Sequence, residues 1–84
     1  MKKAKDKSLL FIQGNYLREL RKRYTELSQE QVGKSVGMSK QWLSDIENGK
    51  NDIFFTDMVK VIELYGVDVD KAVKELRRRM FEQK

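Results

Sequence analysis

Few residues in this chain could make or break a bond. Its 84 residues include no Cys and no His. Disulfides, thiolate zinc sites and thiol nucleophiles are excluded, and so are imidazole bases and imidazole ligands. A Ser-His-Asp triad cannot be assembled. Asp68 and Asp70 are the nearest approach to the paired carboxylates of a small hydrolase. Their spacing reads better as a helix cap followed by a first-turn acid. A chain this short also has few residues to line a deep pocket once its core is filled. The chemistry left is contact through hydrogen bonds and charge: a binding module, with no cofactor and no metal expected.

The charge is uneven. Lys and Arg number 18 against 13 Asp and Glu, a net +5. Residues 1–50 hold 11 basic and 6 acidic residues, whereas residues 51–84 hold 7 of each. An excess confined to the first part suits a polyanionic partner, the alternative being a solubilising basic surface. The longest apolar run is Leu9 to Ile12, too short for a membrane span or a signal peptide. The expectation is a cytoplasmic protein with no membrane partner.

Helical periodicity positions these charges. Residues 1–8 show no apolar rhythm and read as a mobile basic arm. From Leu9, the residues Ile12, Tyr16, Leu17, Leu20 and Tyr24 recur in steps of three and four. Gly14 is a weak point that could mark the true start of this helix. Ser28 and Gln31 form a capping box for a second helix. Gly37 ends it, and Ser39 caps a third helix carrying Leu43 and Ile46, which Asn48-Gly49 stops. Phe55, Met58, Val59, Ile62 and Tyr65 make a fourth stripe, closed by Gly66. Asp68 caps a fifth helix with Val69, Ala72, Val73, Leu76 and Met80 along one side. Strand signals are absent. The fold class predicted is all-α: one compact five-helix domain over residues 9–84.

The most informative stretch is SQEQVGKSVGMSKQWLSDIENGK, residues 28–50. Two short helices meet through Gly37-Met38-Ser39. Gly33 lies on the inner side of the second, where a missing side chain lets the third cross closely. Val32, Val36, Met38, Leu43 and Ile46 are spaced to fill the angle between crossed helices, the mark of a helix-turn-helix. From Gly14 to Ala72 the sequence resembles the lambda-repressor-like, Cro-type helix-turn-helix proteins, also called the xenobiotic-response-element family. The matching motifs are Leu-Ser-Gln-Glu-Gln-Val at 27–32, the Gly37-Met38-Ser39 turn, Leu-Ser-Asp-Ile-Glu-Asn-Gly-Lys at 43–50, and Leu64-Tyr65-Gly66-Val67-Asp68. The sequence departs in having Gly33 for the usual Ala, one extra residue in the connection Tyr24-Thr25-Glu26, and Ile53 where Pro is common.

The resemblance implies that the third helix enters the major groove of double-stranded DNA. Its outward residues, Lys40, Gln41, Trp42, Ser44 and Asp45, are then the candidates for base contact. Lys40 can donate to guanine, and Gln41 can pair with adenine in bidentate fashion. Trp42 either packs on a thymine methyl or sugar, or covers the first helix. Asp45 either accepts from a cytosine amine, repels phosphate, or is plain surface. Phosphate contacts are expected from Gln29, where free amides and the helix dipole favour an anion, and from Ser39, Asn48 and Lys50. The arm lysines Lys2, Lys3, Lys5 and Lys7 either track phosphate or stay solvated. Glu47 is inward-leaning, and a pairing with Arg21 is expected.

One such domain reads only a few base pairs, so two are needed. Val73, Leu76, Met80 and Phe81, on a C-terminal helix of about residues 69–82, are expected to form an isologous two-fold interface, with Arg77-Arg78-Arg79 solvated beside it. The function predicted is a sequence-specific transcription regulator, a repressor binding a palindromic operator as a homodimer. The alternative is an antitoxin that also binds a toxin, or a restriction-modification controller, that represses its own operon.

Overall fold

The computed structural model describes residues 7–82. Five helices follow one another: α1 Lys7–Tyr24, α2 Gln29–Ser35, α3 Lys40–Glu47, α4 Phe55–Leu64 and α5 Val69–Phe81. No strand occurs among the described residues. Most of the expected basic arm, including Lys2, Lys3 and Lys5, lies outside the described residues. Lys7 and Ser8 belong to the first turn of α1.

Local chemistry accounts for the boundaries. Thr25 closes α1: its Oγ1 donates to the Arg21 carbonyl at 2.8 Å and accepts from the Leu27 N–H at 3.0 Å. The longer connection is thereby held as a defined turn. Ser28 and Gln31 make both bonds of the capping box on α2, and Ser39 caps α3 by accepting from the Trp42 N–H. Asp68 does the same for α5 with Lys71. α4 begins without a side-chain cap, because Phe54 occupies that position. Gly37 and Gly49 sit at φ 77 and 75, a region where a side chain is strained.

The core is built from Leu17, Val32, Leu43, Ile46, Val61 and Ile62, all at 0% exposure. Burial of this kind is what fixes short helices, since seven or eight residues are not stable as isolated helices in water. Gly14 does not start α1. The helix runs through it, and the glycine is needed because a Cβ there would collide with the Ile46 carbonyl oxygen of α3. Gly33 has the expected packing role: a Cβ would lie 2.7 Å from the Ser39 carbonyl oxygen. Both crossings onto α3 therefore depend on a missing side chain. Ile53, the residue at the common proline position, is buried in the core.

Two apolar stripes differ from expectation. Tyr24 and Phe55 are exposed; Tyr24 lies past the edge of the core, with the Arg23 guanidinium 6.0 Å from its ring centre. On α5 the difference concerns the expected interface. Leu76 is buried in the domain's own core, with Ala72, and Met80 and Val69 pack partly buried against the same core. The stripe faces inward because α5 lies along α1, so Leu76 is withdrawn from any partner surface. Val73 is half-buried and Phe81 exposed.

Candidate nucleic-acid interface

α3 presents one exposed edge and rests on a buried ionic centre. Along the edge, Lys40 and Gln41 are exposed, while Trp42, Ser44 and Asp45 are half-buried. Trp42 packs against the core, which favours the covering role among its two readings. Gln41 Nε2 donates to Asp45 Oδ1 at 2.8 Å, one turn further along. These two side chains act as a pair.

Beneath α3, the Glu47 carboxylate is fully enclosed. Arg21 reaches it in fork geometry, Nε to Oε2 and Nη2 to Oε1, both at 2.9 Å. Its remaining Nη1 donates to the Leu27 carbonyl at 2.9 Å. Gln29 Nε2 also donates to Glu47 Oε1, at 2.9 Å. One carboxylate thus joins α1, α2 and α3, its lone pairs taken up by a bidentate guanidinium and an amide. The Glu47 hydrogen bonds hold the Arg21 guanidinium even more firmly protonated than usual. The Tyr65 hydroxyl is buried beside this centre with no hydrogen-bond partner among the described residues. Burial first, and then the Glu47 charge, push its pKa up.

The expected phosphate residues are already engaged within the chain. Gln29 spends one amide hydrogen on Glu47 and keeps the second. Ser39 Oγ accepts the α3 cap bond, leaving its own hydrogen to donate. Asn48 Oδ1 accepts from Arg18 Nη2 at 2.7 Å, and Asn48 Nδ2 donates to Ser44 Oγ at 3.3 Å. Lys50 is exposed just past the end of α3.

Arg18 is the participant that sequence reasoning missed. Its Nη2 also donates to the Glu47 carbonyl at 3.1 Å, so it anchors the C-terminal end of α3 to α1. The signal was present: Arg18 and Arg21 are three residues apart, hence on one face of α1, and a single buried acid opposite can engage both. A second ionic group was also missed. The run Arg77-Arg78-Arg79 is not simply solvated. Arg78 pairs with Glu75 and Glu82, and Arg79 bonds Glu75 and, across to α1, Glu19.

Known proteins resemble this chain in sequence and in fold. Residues 14–79 match the family model described as a helix-turn-helix domain. The sequence is 29% identical over 65 residues to the control protein C.MunI of Mycoplasma sp, covering 77% of this chain and 88% of the relative. The fold is similar to the crystal structure of the clp gene regulator ClgR from C. glutamicum, with a TM-score of 0.72 and 21% identity, covering 89% of this chain and 95% of that one. The chain belongs to the helix-turn-helix family, and is a DNA-binding transcription regulator of the lambda-repressor-like kind. Among the described residues no helix is long and apolar enough to cross a membrane.

Proposed function

We propose that the chain is a transcription repressor that occupies a palindromic operator as a homodimer, reading each half-site with α3. The observation that carries this reading is the exposed Lys40–Gln41 edge of a helix whose seat is fixed by Glu47, Arg21 and Arg18. A helix that reads bases must hold its register to a fraction of an ångström, and a three-helix ionic centre does that. Lys40, Gln41 and Ser44 face base edges, with Asp45 bonded to Gln41 on the same edge and Trp42 turned to the core. Gln29, Ser39, Asn48 and Lys50 contact phosphate, each through a hydrogen its internal bonds leave over. The half-sites then lie about 34 Å apart, one turn of duplex. Apolar surface for a second copy comes from Phe81 and Val73 on α5, with Met80 at its edge. Phe54 and Phe55, exposed at the start of α4, offer a further place.

A mobility-shift titration against specific and competitor DNA tests this. A specific site should be preferred, and the log–log salt slope should be about −0.9 for each phosphate neutralised. Equal binding to all sequences would exclude the reading. Sedimentation at micromolar concentration should give a dimer, and Phe81→Ser and Phe54→Ser/Phe55→Ser, made separately, decide which surface joins the copies. The relative named as a control protein favours a second reading, a controller that represses its own operon. Binding to DNA upstream of its own coding sequence is the observation that selects it. An antitoxin would instead co-purify with a toxin.

A further inference from the structure

We propose that Asp45 is a positioning residue that makes Gln41 select adenine over guanine. The inference rests on the reading above, in which α3 faces base edges. Gln41 and Asp45 are one helical turn apart, with Gln41 Nε2 2.8 Å from Asp45 Oδ1. A carboxylate only accepts hydrogen bonds, so the nitrogen end of the Gln41 amide must face it. That fixes which way the amide lies, and it uses one of the two amide hydrogens.

The consequence follows from the base edges. A free glutamine amide can turn both hydrogens toward guanine, whose O6 and N7 are both acceptors. It can also offer one hydrogen and its oxygen to adenine, which presents N7 as acceptor and N6 as donor. Asp45 removes the first option. What remains is one N–H beside one C=O, the complement of adenine. The acidic charge beside the amide also disfavours the two acceptors of guanine. Asp45 is itself held in place at the end of α3, its backbone carbonyl accepting from the Lys50 N–H at 2.8 Å.

The test is selection of bound duplexes from a random DNA pool by the full chain, its Q41A, D45A and D45N variants, with melting profiles recorded for each. The wild-type motif should contain an adenine column that Q41A erases. D45A should lower the adenine-to-guanine ratio in that column about fivefold or more, with the other columns and the melting profile unchanged. D45N keeps an acceptor but adds a donor, so it holds Gln41 in either sense and should give an intermediate ratio. A Gln41 column of guanine in the wild type would overturn the proposal. So would a column that Q41A alters while every folded Asp45 variant leaves it as in the wild type. A wild-type pool without any motif would instead overturn the DNA-reading assignment itself.

Discussion

Two groups of charged side chains tie α1 to the rest of the molecule, and they sit in opposite surroundings. Under α3, Glu47 has no exposed side-chain surface and Arg21 only 11%. Against α5, Glu19 and Arg79 are at 39% and 33%, with Glu75 bonded to the same guanidinium. The bonds are of similar length in both. Their worth is not, because removing one partner of a buried pair strands a charge where water cannot reach it, whereas an exposed pair is replaced by hydration and screened by salt. The buried group lies beneath the helix proposed to read bases, the exposed one on the side where α5 closes the fold.

The sharpest way to break the comparison is Glu47→Ala. It leaves Arg21 uncompensated in the interior and should cost about 3–5 kcal/mol, measured by denaturant unfolding. The double variant R21A/E47A should lose less than the two single losses added, because the stranded charge is gone. Additive losses would mean that the two groups are not coupled. Next in size is Gly14→Ala. Its methyl group meets the Ile46 carbonyl oxygen, so α1 must lift from α3 at a cost of about 1–3 kcal/mol. An alanine in an ordinary helix interior would instead stabilise by roughly 1 kcal/mol relative to glycine, so the sign of the change distinguishes a packing glycine from a mere weak point.

The same contrast explains what could be read from the sequence. Caps and turn glycines are local, and Ser28-x-x-Gln31, Ser39, Asp68 and Gly37 announced α2, α3 and α5 within a residue or two. The Glu47–Arg21 pair was legible because an acid sat on the inner face of a helix opposite a basic one. Periodicity alone does not say which neighbour an apolar stripe meets. Leu76 therefore looked available to a second copy, although the domain's own core already buries it. Gly14 looked like a helix start for the same reason: only the position of α3 shows why a side chain is missing there. Arg18 shares the Arg21 face, but only the position of Glu47 shows its partner, and the Gln41–Asp45 bond was hidden because polar residues one turn apart on an exposed edge have solvent as an equal partner. What α3 touches beyond this chain depends on the partner, and no spacing within one helix fixes it.

Arg79→Ala tests the exposed side of the comparison. It removes the bonds to Glu19 and Glu75 and a guanidinium 4.6 Å from the centre of the Tyr16 ring. Exposure limits the loss to about 1 kcal/mol, well below that of Glu47→Ala, and it should shrink further in molar salt. A loss as large as that of Glu47→Ala would put the two ionic groups on an equal footing and remove the distinction.

The smallest effect expected is a pH dependence that belongs to the exposed group. Hydrogen bonds from Arg78 and Arg79 hold the Glu75 carboxyl down at about 2, from an ordinary value of 4.5. The Arg79 hydrogen bond lowers Glu19 in the same direction. A carboxyl whose pKa is lower in the folded chain contributes stability that is fully present above its unfolded value and lost as the pH falls through its folded one. The window is therefore from about 4.5 down to about 2. The melting temperature should decline across it, and Glu75→Gln should flatten part of that decline by lowering the value at pH 7 slightly, toward the acid value. Salt should flatten it too, since both carboxyls and their arginines face solvent. If Glu75→Gln left the acid limb as steep as before, the lowered pKa of Glu75 would carry no folding free energy.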